Sequence, residues 1–597
     1  MTETAPAEVP RWEQRLRATR VSLPEHARDA PHRCLYVSNA TGTFELYAWD
    51  RDTDGHRQVT RRAQGTTDGA LSPDGEQVWW FDDRDGDEHG SWRRQPFGGG
   101  SDVPAAPDVP AAWSAGLALG RTAQVVGCSD DTGTRLHLLR GGTTRVLYAS
   151  EHDADVADLS RDETLVLLSH SEHGDSRHRA LRVLTLAGDH VGAIVGDLWD
   201  GAGLDLAAVG FSPRPGDPRV LALHERSGRP EPLLWDPVTG VVQRVEVDLE
   251  GDLDVDWLPD GSGLVVLAEA RGRSTAHLLD LTTGTLTRIA TPVGTIGELS
   301  PRPDGTIDYS WSSAAEPPSV RSTSGAIVLR APGPPAPGSV PVEDALVPSE
   351  VGTIHALVAR PAGPGPHPTV FLVHGGPTWH DTDSFAADRA GYVDLGCAVV
   401  QVNYRGSTGY GAAWRDALEG RPGLTELEDL AAVRQWAVRT GLALPDACVL
   451  AGGSWGGYLT LLGLGTQPAL WAAGVAAVPV ADYVAAYEDE MEPLRAFDRS
   501  LFGGSPEQVP DVYARSSPIT YVTQVRAPVL VLAGANDPRC PIRQVDRWLA
   551  AAEEAGVPVE VYRFDAGHGS LVVDERVRQF AAERDFVART LGLLPPG

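Results

Sequence analysis

A short phrase recurs through the first half of the chain: a turn resembling Ser-Pro-Asp-Gly, followed at once by an apolar strand. It stands at Ser72-Pro-Asp-Gly75, Ser160-Arg-Asp-Glu163, Ser212-Pro-Arg-Pro215, Leu258-Pro-Asp-Gly261 and Ser300-Pro-Arg-Pro-Asp-Gly305. Between these copies sits a second phrase, an apolar strand closed by a tight turn, as in Leu233-Leu-Trp-Asp-Pro-Val-Thr-Gly240 and Leu278-Leu-Asp-Leu-Thr-Thr-Gly284. The period is about 40 to 50 residues, the length of one four-stranded propeller blade. Ser72 to Ser160 is about twice that interval, so a blade with a degenerate phrase is expected near Ser114 to Cys128. A β-propeller of about seven blades over residues 32–330 follows. Turn-punctuated strands alone would also suit a large β-sandwich, and the even period is what favours the propeller.

The texture changes after a Pro-rich stretch, Ala331-Pro-Gly-Pro-Pro-Ala-Pro-Gly338, which reads as a semi-rigid linker over 331–340. Beyond it, apolar strands such as Thr369–Val373, Ala398–Val402, Cys448–Leu450 and Pro528–Ala533 alternate with helix-period segments such as Leu427–Arg439 and Gln544–Glu554. Strands alternating with helices form a parallel sheet covered on both faces. The expected second domain, residues 341–597, is therefore α/β. Residues 1–31 form an N-terminal extension whose candidate packing surface is the α/β domain.

Composition narrows the chemistry. All 51 basic residues are Arg, so a Walker A lysine, a Schiff-base lysine and a Ser–Lys dyad are excluded. A serine nucleophile here needs histidine as its base. The formal net charge of −30 repels phosphate backbones and anionic lipids, so nucleic-acid and membrane partners are not expected. No apolar run has the length of a membrane span, and Met1 to Arg20 lacks the apolar core of a secretory signal, so a cytoplasmic location is expected. The five cysteines are scattered and never in CxxC spacing, which argues against a disulfide framework and against a structural zinc site. Cys540, close to one of the loops discussed next, is read as a packing residue.

The segment Cys448-Val-Leu-Ala-Gly-Gly-Ser-Trp-Gly-Gly-Tyr458 places Gly452-x-Ser454-x-Gly456 between an apolar strand and a helical run. That is the nucleophile-elbow pattern in its meaningful context: a serine on a strained turn, flanked by glycines where any side chain would collide. Its partners should follow in the order Asp, then His. Asp537 lies in Gly534-Ala-Asn-Asp-Pro-Arg-Cys-Pro541 and His568 in Asp565-Ala-Gly-His-Gly569, each just past a strand. Both fall at carboxyl ends of strands, where open parallel sheets place their sites. The expected catalytic set is Ser454, Asp537 and His568. The oxyanion hole should use the Trp455 N–H, with Gly376 from His374-Gly-Gly-Pro377 as main second donor and the Tyr410 hydroxyl assisting.

These motifs, with Asn403-Tyr-Arg-Gly-Ser-Thr-Gly-Tyr410, Asn536-Asp-Pro-Arg539 and Gly567-His-Gly569, resemble the prolyl oligopeptidase family of serine peptidases, in particular its acylaminoacyl-peptidase and aminopeptidase branch. The resemblance implies a site enclosed between propeller and hydrolase domain, open to short peptides and closed to folded proteins. It departs at Trp455, where many relatives carry Tyr. No metal or cofactor is required. Val478, Val480, Tyr483 and Tyr487 supply an apolar, aromatic wall suited to a hydrophobic or proline side chain. Glu488 and Glu490 follow and are candidates to read a free α-ammonium, with Asp85-Gly-Asp-Glu88 of the propeller a weaker candidate. The expected activity is an aminopeptidase acting through an acyl-enzyme. The alternatives are an acylaminoacyl peptidase, an esterase or amidase on an aminoacylated small molecule, and a propeller-based binding protein with an inert hydrolase domain. Edge strands in both domains offer a route to a homo-oligomer.

Overall fold

The computed structural model describes residues 9–593. Seven four-stranded antiparallel units follow one another from Glu25 to Leu329, each built from consecutive strands. The second and third (Gly69–Pro104 and Ala112–Ser150) are joined into one sheet, because His89 and Gly90 pair with Trp113 and Ala112. The third unit supplies the blade expected near Ser114 to Cys128, with all four strands in place. Its turn at Arg121 to Ala123 lacks the recurrent phrase and instead donates three N–H groups to Glu163 of the next blade.

The recurrent phrase is the turn between the first and second strands of a blade. Ser72 Oγ donates to Asp74 and accepts from the Gln77 N–H at 2.9 Å, and the Ser160 turn repeats both bonds. Local side-chain bonds of this kind satisfy a tight turn without help from a neighbour. The first strands line a central cavity of about 1020 Å³. The ring closes by side-chain packing of Tyr36, Tyr47 and Trp49 against Val320 and Leu329, and by the Arg51–Asp308 ion pair at 2.7 Å. The first blade opens at Glu25, ahead of the start expected near residue 32, because the short strand Glu25–Ala27 pairs with Ala30–Ser38.

The α/β domain carries an eight-stranded sheet. In the order of the chain its strands are β1 (Val342–Ser349), β2 (Gly352–Ala359), β3 (His367–Val373), β4 (Ala398–Asn403), β5 (Ala443–Gly453), β6 (Ala473–Ala477), β7 (Val529–Gly534) and β8 (Val559–Phe564). Their spatial order is β1-β2-β4-β3-β5-β6-β7-β8, antiparallel at the β1 edge and parallel from β4 onward. One face is covered by α3 (Leu424–Arg439), α4 (Trp455–Thr466) and α7 (Ile542–Glu554); the other by α2 (Ala387–Asp394) and α8 (Val573–Thr590). The central strands read as unbroken apolar runs because both faces are buried.

Helix α1 (Arg11–Arg17) lies on this domain. Trp12 packs at a tilt against Phe580, ring centres 5.8 Å apart, and buried Arg15 donates to the Pro337 and Gly338 carbonyls and pairs with Asp394. Among the described residues no helix is long and apolar enough to cross a membrane.

Candidate active site

Ser454 follows β5 at the N-cap position of α4 with φ 55° and ψ −120°, a positive-φ conformation that L-residues adopt only under constraint. The constraint comes from glycines packed against backbone. A β-carbon on Gly452 would meet the Val373 oxygen at 2.5 Å, and one on Gly456 would meet it at 2.1 Å. The Ser454 N–H donates to Ala477 O at 2.9 Å, pinning the turn to β6. Behind it, the Trp455 indole donates to Glu426, a fully buried carboxyl that also accepts the Gly423 N–H at the start of α3. Burial pushes Glu426 up to about 8, so it sits neutral under the elbow at pH 7.

The loop after β3 lies directly against the elbow. A β-carbon on Gly375 would stand 3.3 Å from Ser454 Cβ and 3.8 Å from the Trp455 nitrogen. His374 fixes that loop, bonded to Ser407 at 2.9 Å and stacked 4.3 Å from Tyr404. Trp455 is the first residue of its helix, where backbone N–H groups have no partner within the helix. Gly376 follows Gly375 in the left-handed region, φ 123°.

The other two loops meet beside them. The Asp537 side chain is fully buried and lies 2.8 Å from His568 Nδ1. Its Oδ1 also accepts the Arg539 and Cys540 N–H groups, each at 2.9 Å. The Asn536 N–H donates to Ala566 O at 3.1 Å and ties the two loops together. Asp537 is thus locked as an acceptor, and it holds His568 with Nε2 as the free ring nitrogen. Among the described residues Ser454 Oγ makes no hydrogen bond; contacts of this type commonly tighten only when substrate is bound.

The propeller builds the opposite wall. Its Asp83–Glu88 turn touches the Asp537 loop: Asn536 Nδ2 donates to Asp85 O at 3.0 Å, and Arg539 pairs with Glu88 at 2.6 Å. Gly86 and Gly567 meet backbone to backbone. From the first blade, Phe44 N–H donates to Leu571 O at 2.9 Å, and Gln64 donates to Asp565 O at 2.8 Å. Between the domains lies a cavity of about 520 Å³, lined by His568 and Arg539 and by the carboxyls of Asp68, Asp83 and Glu88. Asp83 is committed to the Gly86 and Glu88 N–H groups. Asp68 opens onto the cavity yet is walled in by protein, which pushes its carboxyl up.

Several sequence expectations need correcting. Tyr410 is not free to assist an oxyanion, because its hydroxyl lies 2.5 Å from His355 Nδ1 and accepts from Asn403 at 2.7 Å. Glu488 points to the surface and pairs with Arg543 at 2.7 Å. Glu490 turns inward against Asp498, and burial pushes both carboxyls up, Asp498 to about 8. Val478, Val480 and Tyr483 are buried. Tyr483 lies in an aromatic cluster with Tyr458, Phe502 and Tyr513, so these three offer no open wall. Tyr487 is half-buried and accepts from Arg499 at 3.0 Å. The Gln64 and Phe44 contacts carried no sequence signal, since both bind through backbone atoms on the partner side.

The propeller, the eight-stranded sheet and the serine turn between β5 and α4 define a two-domain chain whose second domain has the α/β-hydrolase fold. Residues 384–593 match the prolyl oligopeptidase family. Over 238 residues it is 32% identical to dipeptidyl aminopeptidase BIII of Pseudoxanthomonas mexicana, covering 38% of this chain and 34% of that one. Over 204 residues it is 31% identical to the acylamino-acid-releasing enzyme of Arabidopsis thaliana, covering 33% and 27%. The chain thus spans about a third of the length of the curated relatives it matches. In fold it is similar along its length to a puromycin hydrolase (TM-score 0.81, 22% identity, 100% of this chain and 97% of that one). A puromycin-hydrolyzing peptidase of Mycobacterium tuberculosis gives a TM-score of 0.83 at 21% identity, covering 99% and 97%.

Proposed function

We propose that the protein is a serine exopeptidase of the aminopeptidase type, with Ser454 as nucleophile, His568 as base and Asp537 as its orienting acid. The observation that carries this reading is the cavity at His568: enclosed between two domains, sized for a short peptide, and lined by three carboxyls against one guanidinium. A free α-ammonium would be retained there, with Glu88 and Asp68 as the acids that read it. Glu488 and Glu490 are not available for that task.

In the reaction, His568 Nε2 takes the Ser454 proton as Oγ attacks the scissile carbonyl. Asp537 holds the tautomer and stabilises the imidazolium. The Trp455 N–H, at the positive end of α4, and the Gly376 N–H receive the oxyanion; each such donor contributes about 3 kcal/mol to the barrier reduction. His568 then protonates the leaving amine, and water cleaves the acyl-enzyme by the reverse sequence.

One observation favours a second reading. Arg539 already neutralises Glu88, which reduces the pull on an ammonium and suits an N-blocked peptide, as the names of several relatives suggest. An aminoacyl amide such as puromycin also fits an enclosed cavity of this size, as the names of two structural neighbours suggest. Comparing kcat/KM for free and acetylated aminoacyl p-nitroanilides decides between the first two. Preference for the acetylated series would overturn the aminopeptidase reading.

A further inference from the structure

Cys540 is not explained by the mechanism above. It is buried (5% exposed), and its N–H is bonded to Asp537 Oδ1, which folds the residue back over the catalytic acid. Ligating atoms of Asp537, Cys540 and His568 all lie within 4.8 Å of one another, and among the described residues this is the one such group that contains a cysteine. We propose that Asp537, Cys540 and His568 form a binding site for a thiophilic divalent cation of the zinc type, and that its occupancy switches the enzyme off.

The donor set is what selects the ion. One carboxylate oxygen, one imidazole nitrogen and one thiolate sulfur are ligands for zinc or cobalt, not for magnesium or calcium. Bonds of about 2.0 to 2.3 Å at tetrahedral angles set donors about 3.3 to 3.5 Å apart, so the Asp537–His568 pair, now at 2.8 Å, must open slightly to admit the ion, with Cys540 Sγ within 4.8 Å of both. Water from the cavity at His568 completes a tetrahedron. Burial, then the Asp537 carboxylate, pushes the Cys540 thiol up, so the ion must displace its proton; Arg539 is the one cation that acts the other way.

The consequence for the ring is specific. The metal takes the lone pair of Nδ1, so the proton that Nδ1 donates to Asp537 moves to Nε2. Imidazole stays neutral, but Nε2 becomes an N–H and can no longer accept the Ser454 proton. The Cys540 S–H proton is released to solvent. No redox change is involved. Inhibition rests on the triad reading above, whereas metal binding does not, and the two are tested separately.

The test uses the full-length Ser454→Ala chain titrated with Co²⁺, followed by its thiolate-to-cobalt charge-transfer absorption in the near ultraviolet. One equivalent is expected to bind, with the band displaced by Zn²⁺ and absent in the added Cys540→Ala and Cys540→Val backgrounds. Cys540→Val fills the site and guards against loss of the fold, checked by thermal melting. A band that survives either substitution, or none on the Ser454→Ala chain, overturns the site. In the second arm Zn²⁺ is titrated against turnover by the chain with Ser454 intact. The half-inhibitory concentration should rise at least about tenfold in Cys540→Ala, relative to its own metal-free rate, and a chelator should restore the rate. Binding without inhibition overturns the switch. Absence of all turnover counts against the peptidase reading alone, and the cobalt spectrum still decides the site.

Discussion

Gly567 precedes His568, the proposed base, and a β-carbon there would sit 1.6 Å from the carbonyl oxygen of Gly86 in the propeller. Real β-carbons keep at least 3.0 Å, so Gly567→Ala must part the two loops by about 1.4 Å (3.0 − 1.6). Both partners are backbone, and neither can swing aside as a flexible side chain would. The propeller turn is itself anchored, by Asp83 to the Gly86 and Glu88 N–H groups and by Asn536 to Asp85 O. Much of the displacement therefore falls on His568. A misplacement of about 1 Å at a reacting group costs about 10²-fold in rate, or about 2.7 kcal/mol of barrier. Neither hydrophobic core is touched, so the melting temperature should change by only a few degrees. The assay is kcat on an aminoacyl p-nitroanilide, with calorimetry as the control for folding. Gly86→Ala, whose β-carbon would meet the Gly567 nitrogen at 2.8 Å, should show a smaller loss. Full activity in Gly567→Ala would refute the claim that the propeller is a fixed wall of the catalytic site.

Glu88→Gln should raise KM for free-amine substrates about tenfold and leave acetylated substrates unchanged, measured as paired Michaelis curves. Ser454→Gly should abolish turnover while raising stability by about 1 kcal/mol, because glycine carries no strain at φ 55°; an unchanged or lower melting temperature would contradict the strained elbow. His178 joins the propeller to the hydrolase domain through Asp175 at 3.1 Å and Asp416 at 3.4 Å. Burial lowers its pKa, but the two carboxylates outweigh it and push it up to about 9. The folded-state pKa lies above the unfolded one, so this contribution is complete below about 6.5 and lost as pH rises through 9. After a discount for partial exposure it is about 1 kcal/mol. Denaturant melts at pH 6.5 and 9.5 should show that difference in the parent and not in His178→Gln.

The Ser454, Asp537 and His568 loops stood out in the sequence because each is fixed by local chemistry. The elbow needs glycine at 452 and 456, and the Asp537 turn closes on its own N–H groups. The blades were legible for the same reason, since Ser72 and Ser160 complete their turns within six residues. The pocket wall was not. Tyr410 looked available because nothing in the chain near it announces His355, on a strand more than fifty residues earlier. The Glu488 to Glu490 run looked like one acidic patch. In three dimensions Arg543 of α7 takes Glu488 outward, while Asp498 of α6 (Glu492–Phe502) meets Glu490 inside. Which acids face the cavity is set by the docking of two domains, and sequence periodicity within either domain carries no record of it.

The most direct test is turnover of a panel of aminoacyl and acetyl-aminoacyl p-nitroanilides by the parent chain and by Ser454→Ala. Hydrolysis of the free-amine series, abolished in Ser454→Ala, is the predicted result. Hydrolysis that persists in Ser454→Ala would contradict the account at its centre.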